Sequence, residues 1–147
     1  MRFMMFVHAN IPDEADWGPG VDDVELVERM SKYNEELTKA GVVLALDGLH
    51  PPQEGAVVNF SGGKATVTDG PYAEAKEVVG GYWLIDVKSR EEALEWASRA
   101  PMNDGDAIEV RQVYEMEEFP EQIQKVAQLS REPTEHRRQA SAPGSSS

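Results

Sequence analysis

The chain has 147 residues, a formal charge of −13 at pH 7, a pI near 4.6 and no cysteine. That length supports one hydrophobic core rather than two ordinary domains, and the acidic balance, which repels phosphate backbones and anionic headgroups, argues against direct nucleic-acid or membrane binding. Without cysteine there is no disulfide framework, thiolate nucleophile or Cys-ligated metal, a pattern suited to a reducing compartment.

Phe3 to Val7 is apolar at every position, as expected of a strand covered on both faces and ended by His8. No run approaches the roughly 18 to 20 apolar residues of a membrane span, and the segment lacks a small-residue cleavage pattern, so the expected location is cytoplasmic. Residues 9–20, with Asn10, Pro12, Gly18, Pro19 and Gly20, read as a long loop in which Trp17 has no periodic partner. Asp22 and Glu25 have capping-box-like spacing. Val24, Val27, Met30 and Leu37, with Leu26 and Tyr33 beside them, then predict a helix of about five turns up to Ala40, stopped by Gly41. Val42 to Leu49 reads as a second buried strand, ended by His50-Pro51-Pro52 because proline cannot donate to a ladder.

Ala56–Phe60 and Lys64–Thr68 flank Ser61-Gly62-Gly63 and predict a β-hairpin that projects from the main sheet or extends it. Tyr82 to Val87 is the next strand, preceded by a glycine pair, Gly80-Gly81, read as a sharp re-entry into the sheet. Ser89-Arg90-Glu91-Glu92 is a complete capping box. Ala93, Leu94, Trp96, Ala97 and Ala100 form the apolar stripe of a second helix that Pro101 ends, and Ala107 to Tyr114 alternates as the last strand. Removing the hairpin leaves βαββαβ, a ferredoxin-like α+β fold: an antiparallel sheet with both helices on one face. The other sheet face, where Phe3, Met5 or their neighbours would be wet, predicts a homodimer. Residues 120–147 read as an extension: a weak helix within Glu117–Leu129, then a polar, serine-rich disordered tail.

The densest group of ionisable and aromatic residues is Thr68 to Trp83. Asp69-Gly70-Pro71 has turn chemistry first, but Asp69 stands at a strand end with Tyr72, Glu74, Lys76 and Glu77 close behind, enough to furnish an acid and a base to one pocket. His8 and His50 each follow an apolar strand and titrate near neutrality. Glu109 and Arg111 share one face of the last strand, where Arg111 is the natural anchor for an anion. No dinucleotide fingerprint, Walker sequence or G-x-S-x-G elbow occurs, and no cluster has metal-ligand spacing, so neither cofactor nor metal is expected.

Gly48-Leu49-His50-Pro51-Pro52, Val67-Thr68-Asp69-Gly70-Pro71-Tyr72-Ala73-Glu74-Ala75-Lys76-Glu77, Gly80-Gly81-Tyr82, the helix opening at Ser89, and Ile108-Glu109-Val110-Arg111 together resemble the YCII-related family, specifically its DGPF subgroup. The resemblance spans about residues 1–119, with Tyr72 where the subgroup's name has Phe. It implies a dimeric α+β barrel, in which two ferredoxin-like sheets pack face to face. It also implies a link to extracytoplasmic-function sigma factors, beside which members of the subgroup are often encoded. Some distant relatives are enzymes with a proposed His-Asp pair, one acting on chlorinated hydroquinones; their histidine lies on the first helix, where this chain has Tyr33 and Asn34. Two functions are therefore expected. The first is a dimeric small-ligand-binding or accessory protein, tied through protein contact to sigma-factor-dependent regulation. The alternative is a small cofactorless enzyme with Asp69 and His8 or Lys76 as acid and base, on an anionic or phenolic substrate held by residues drawn from His50, Tyr72, Glu77, Tyr82, Glu109 and Arg111.

Overall fold

The computed structural model describes residues 1–10, 24–70 and 77–126. Six strands, β1 (Arg2–Asn10), β2 (Val43–Gly48), β3 (Ala56–Ser61), β4 (Lys64–Asp69), β5 (Glu77–Asp86) and β6 (Ala107–Gln112), alternate with helices α1 (Val24–Lys39), α2 (Arg90–Ser98) and the single-turn α3 (Glu121–Gln124). The main sheet has the order β2-β5-β1-β6 with antiparallel pairing throughout, and β3-β4 forms a separate two-stranded sheet. Leaving the hairpin aside, this is the ferredoxin-like α+β order expected, with the first and second strands kept apart by β5.

Alternation along the strands sorts the main sheet into two faces. Phe3, Met5, Trp83 and Ile85 are buried beneath the helices with Tyr33 and Leu37 of α1 and Ala93 and Trp96 of α2, while Val7, Ile108 and Val110 pack at the margin of this core. Met4, Phe6, His8, Tyr82, Leu84, Glu109 and Arg111 fall on the other face by the same register. Phe3 and Met5 thus belong to the covered side. The α1 stripe is Leu26, Met30, Tyr33 and Leu37; Val24 and Val27 lie outside it and are exposed. Tyr33 ties the two helices to the sheet. Its ring stands edge-on to Trp83 at 5.3 Å and meets Trp96 at 6.5 Å, and its hydroxyl donates to the Trp96 carbonyl at 2.6 Å. Burial pushes the Tyr33 phenol up to about 12, against the opposing pull of Arg99 and with a smaller push from Glu36.

Local chemistry sets the element ends. Gly41 (φ 71°) closes α1 in a Schellman motif, with the Val42 amide donating to the Leu37 carbonyl and the Gly41 amide to Thr38. The Ser89 hydroxyl accepts from the Glu92 amide as the capping box predicts, while the Glu92 carboxylate reaches one residue further back, to the amide of Lys88. Gly62 and Gly63 (φ 60° and 76°) make the two-residue hairpin turn.

Several boundaries differ from expectation for one reason. β5 begins at Glu77, five residues before Tyr82, so β1 continues past His8 to pair Ala9 with Val78 and Asn10 with Glu77. Gly80-Gly81 therefore lies inside the strand and is no re-entry turn. Val7 pairs with Gly81 and His8 with Val79, which leaves Gly80 as the extra residue of a bulge. At Gly81 a side chain is sterically refused, since a Cβ would sit 2.9 Å from the Asp47 carbonyl oxygen across β2. Trp17, Asp22, Tyr72, Glu74 and Lys76 lie outside the described residues.

The chain divides into units 1–112 and 113–147. In the second, β6 having ended at Gln112, a 3-10 turn at Met116–Glu118 and α3 occupy the described part of the segment expected to form a weak helix; its residues 127–129 and the expected tail lie outside the described residues. Pro120 has no amide to carry a helix through and instead marks the start of α3. Tyr114 and Phe119 stack at 5.2 Å within this unit. No helix among the described residues is long and apolar enough to cross a membrane.

Candidate functional site

Where α1 passes over the ends of β2 and β5, the chain leaves a cleft of about 250 Å³ lined by Val7, Met30, Asn34, Leu46, Asp47, Gly48, Gly80, Gly81, Tyr82 and Trp83. Its origin is the bulge. Gly48 pairs with Gly81 and Gly80 bulges beside them, so three positions in one corner carry no side chain to fill the space under Met30 and Asn34. Apolar side chains of Val7, Met30, Leu46 and Trp83 supply most of the wall, the usual composition of a small-molecule site.

Asn34 and Trp83 bring polar side-chain atoms to this cleft, and the hydrogen bond between them sets their directions. The Trp83 indole donates to Asn34 Oδ1 at 2.8 Å. Because that oxygen is engaged, the other end of the Asn34 amide, an NH₂, is the donor it offers. On the face of these strands away from the helices, the Tyr82 hydroxyl donates to Asp47 Oδ2 at 2.7 Å across β2 and β5. That hydrogen bond, followed by smaller contributions from burial and from the carboxylate charge itself, holds the Tyr82 phenol above its ordinary range. The cleft under α1 therefore presents a fixed amide donor among apolar walls, and the Asp47–Tyr82 pair lies on the opposite face of the same strands.

The residues singled out in the sequence fall in different places. His8, Glu109 and Arg111 form a row on the sheet face away from the helices: His8 Nε2 lies 2.8 Å from Glu109 Oε1, and Arg111 Nε 3.8 Å from Glu109 Oε2. His50 pairs with Glu54 at 2.8 Å in the Pro52–Glu54 turn. Asp69 is exposed at the end of β4. Its neighbour Gly70 is clamped: the Gly70 amide donates to the Gly55 carbonyl at 2.9 Å, and a Cβ there would fall on the Pro52 carbonyl oxygen. Glu77 opens β5, and Tyr72 and Lys76 lie outside the described residues. Of the expected residues that are described, Tyr82 alone lines the cleft, and its side chain turns to the opposite sheet face. No group of three or more His, Asp or Glu able to hold a metal ion occurs among the described residues.

Asp47 and Asn34 escaped the sequence reading. The available signal was Asp47 itself, a carboxylate inside the otherwise apolar run Val42 to Leu49. Asn34 drew notice only as the residue standing where relatives carry a histidine.

Residues 1–117 match the YCII-related domain, and the chain belongs to that family. An uncharacterized protein of Rhizobium meliloti is 34% identical over 76 residues. The match takes in 52% of this chain and 61% of that relative, so the chain spans about three-fifths of the length of the protein it resembles.

Proposed function

We propose that this YCII-related protein, of the DGPF type, is a homodimeric small-ligand-binding protein, that the α1–β2–β5 cleft is its binding site, and that any tie to sigma-factor-dependent regulation runs through protein contact. The observation that carries the proposal is the cleft's construction: apolar walls around the Asn34 amide, already oriented by the hydrogen bond from the Trp83 indole. Preorganised polar atoms favour binding because the ligand need not order them. Dimerisation draws support from apolar surface in two places, the half-buried Met4 and Phe6 on the sheet face away from the helices, and the hairpin face of Val58, Phe60 and Val67, where Phe60 is 81% exposed.

A thermal-shift screen against small amines, alcohols, phenols and carboxylates tests the site. Stabilisation that disappears in Met30→Trp, which fills the cleft, and survives Arg111→Ala supports it. The reverse pattern moves the site to the His8–Glu109–Arg111 row. That row favours the enzymatic alternative, since a carboxylate that fixes a histidine tautomer is a common arrangement for a general base. Turnover lost in His8→Ala or Asp69→Asn would establish it.

A further inference from the structure

Resting on the cleft as ligand site, we propose that its ligand is a small neutral carbonyl compound, an acceptor oxygen on a compact apolar body, with that oxygen taking a hydrogen bond from the Asn34 side-chain amide. The sequence had pointed to an anion held by Arg111, and Arg111 does not line the cleft. The side chains that face it from beneath α1 are those of Val7, Met30, Asn34, Leu46 and Trp83, none of them charged, while those of Asp47 and Tyr82 turn to the opposite sheet face. A charged ligand would lose water there and meet no counter-charge, a heavy cost in an apolar site. The net charge of −13 adds a field that repels carboxylates and phosphates.

The direction of the amide follows from its partner. An indole nitrogen can only donate, so the Asn34 atom 2.8 Å from Trp83 Nε1 is the oxygen, and the NH₂ end is the one left to a ligand. Among the described residues the Asn34 side chain makes no other hydrogen bond. Its neighbours are already engaged, the Trp83 N–H by Asn34 and the Gly80 carbonyl by the Leu49 amide at 2.9 Å. Tyr33, the residue before Asn34 on α1, is held between Trp83 and Trp96, which keeps this turn of the helix in place over β5. A carbonyl answers the leftover donor in full, since it carries lone pairs and no hydrogen that would need an acceptor of its own among apolar walls. The cleft's volume is that of about eight waters, which limits the ligand to on the order of ten non-hydrogen atoms.

Isothermal titration of the full chain at about pH 8 with acetophenone, α-methylbenzylamine and benzoate separates the possibilities, since the three match in size and are neutral, cationic and anionic there. Acetophenone is expected to bind at least about tenfold more tightly than either ion. Asn34→Asp keeps an oxygen for the Trp83 indole and replaces the NH₂ with a second acceptor. It should weaken acetophenone about tenfold, the loss of one hydrogen bond, and reverse the order in favour of α-methylbenzylamine. Asn34→Leu, which removes the donor without adding charge, should weaken acetophenone by a similar factor and serves if the first variant does not fold. Met30→Trp, which fills the cleft, should abolish acetophenone binding. An ion that binds the unaltered chain as tightly as acetophenone, or an acetophenone affinity unchanged in the Asn34 variants, overturns the carbonyl assignment and leaves the cleft as a binding site. Binding of none of the three, or acetophenone binding that survives Met30→Trp, overturns both.

Discussion

Gly80 and Gly81 are adjacent in one strand, yet the same substitution at each should act in opposite directions. An alanine Cβ at 81 would lie 2.9 Å from the Asp47 carbonyl oxygen and 3.5 Å from the Gly48 Cα, both backbone atoms of β2. Carbon and oxygen ordinarily approach no closer than about 3.3 Å, so β2 must retreat by a few tenths of an ångström along a ladder that also carries the Asp47–Tyr82 pair. Overpacking of this kind costs about 1–3 kcal/mol. The restricted unfolded chain of the alanine variant returns about 0.4–1 kcal/mol, for a net loss of about 1–2 kcal/mol. At Gly80 the nearest atom to a Cβ is the Ala9 Cβ at 4.0 Å, an ordinary contact, so only the unfolded-state term operates and Gly80→Ala should gain about 0.4–1 kcal/mol. Urea unfolding followed by tryptophan fluorescence reads both. Changes of the same sign, or a Gly81→Ala variant as stable as the parent, would refute the steric account of the glycine pair.

Gly70→Ala should be more damaging than Gly81→Ala, above about 3 kcal/mol or unfolded, because its Cβ meets the Pro52 backbone with no flexible side chain to yield; a melting temperature within a few degrees of the parent would contradict this. Leu37→Ala, at a fully buried position of α1, should cost about 2–5 kcal/mol in the same urea assay. Ser89→Ala removes the acceptor for the Glu92 amide and should cost about 1 kcal/mol, with helix α2 fraying first by amide hydrogen exchange. Tyr33 is held protonated in the folded chain up to about pH 12, against an ordinary value of 10.0. Its contribution is therefore complete below pH 10 and is lost as pH rises from about 10 to 12. Stability followed over that window should fall more steeply in the parent than in Tyr33→Phe.

Much of the fold could be read from the chain because it rests on local signals. Gly41, Ser89 and the Gly62-Gly63 turn act through their immediate neighbours, and each does in space what its sequence context implies. What could not be read depends on partners far apart in sequence. The early start of β5 is fixed by β1 residues some 70 positions away, and the cleft follows from the meeting of Gly48, Gly80 and Gly81, whose lack of side chains carries no hydropathy signal. Attention to Asp69 through Glu77 followed the density of ionisable groups along the chain. Asp47 became visible only once β5 set Tyr82 opposite it.

The most direct test of the cleft as a ligand site is a two-dimensional amide and indole NMR titration with a small-molecule library, with the Trp83 indole N–H as the central probe, because it is hydrogen-bonded to Asn34 at the cleft wall. Ligand binding should shift that resonance together with the amides of Gly48, Gly80 and Gly81. Saturable shifts confined to His8, Glu109 and Arg111, with the Trp83 indole unmoved, would contradict the account.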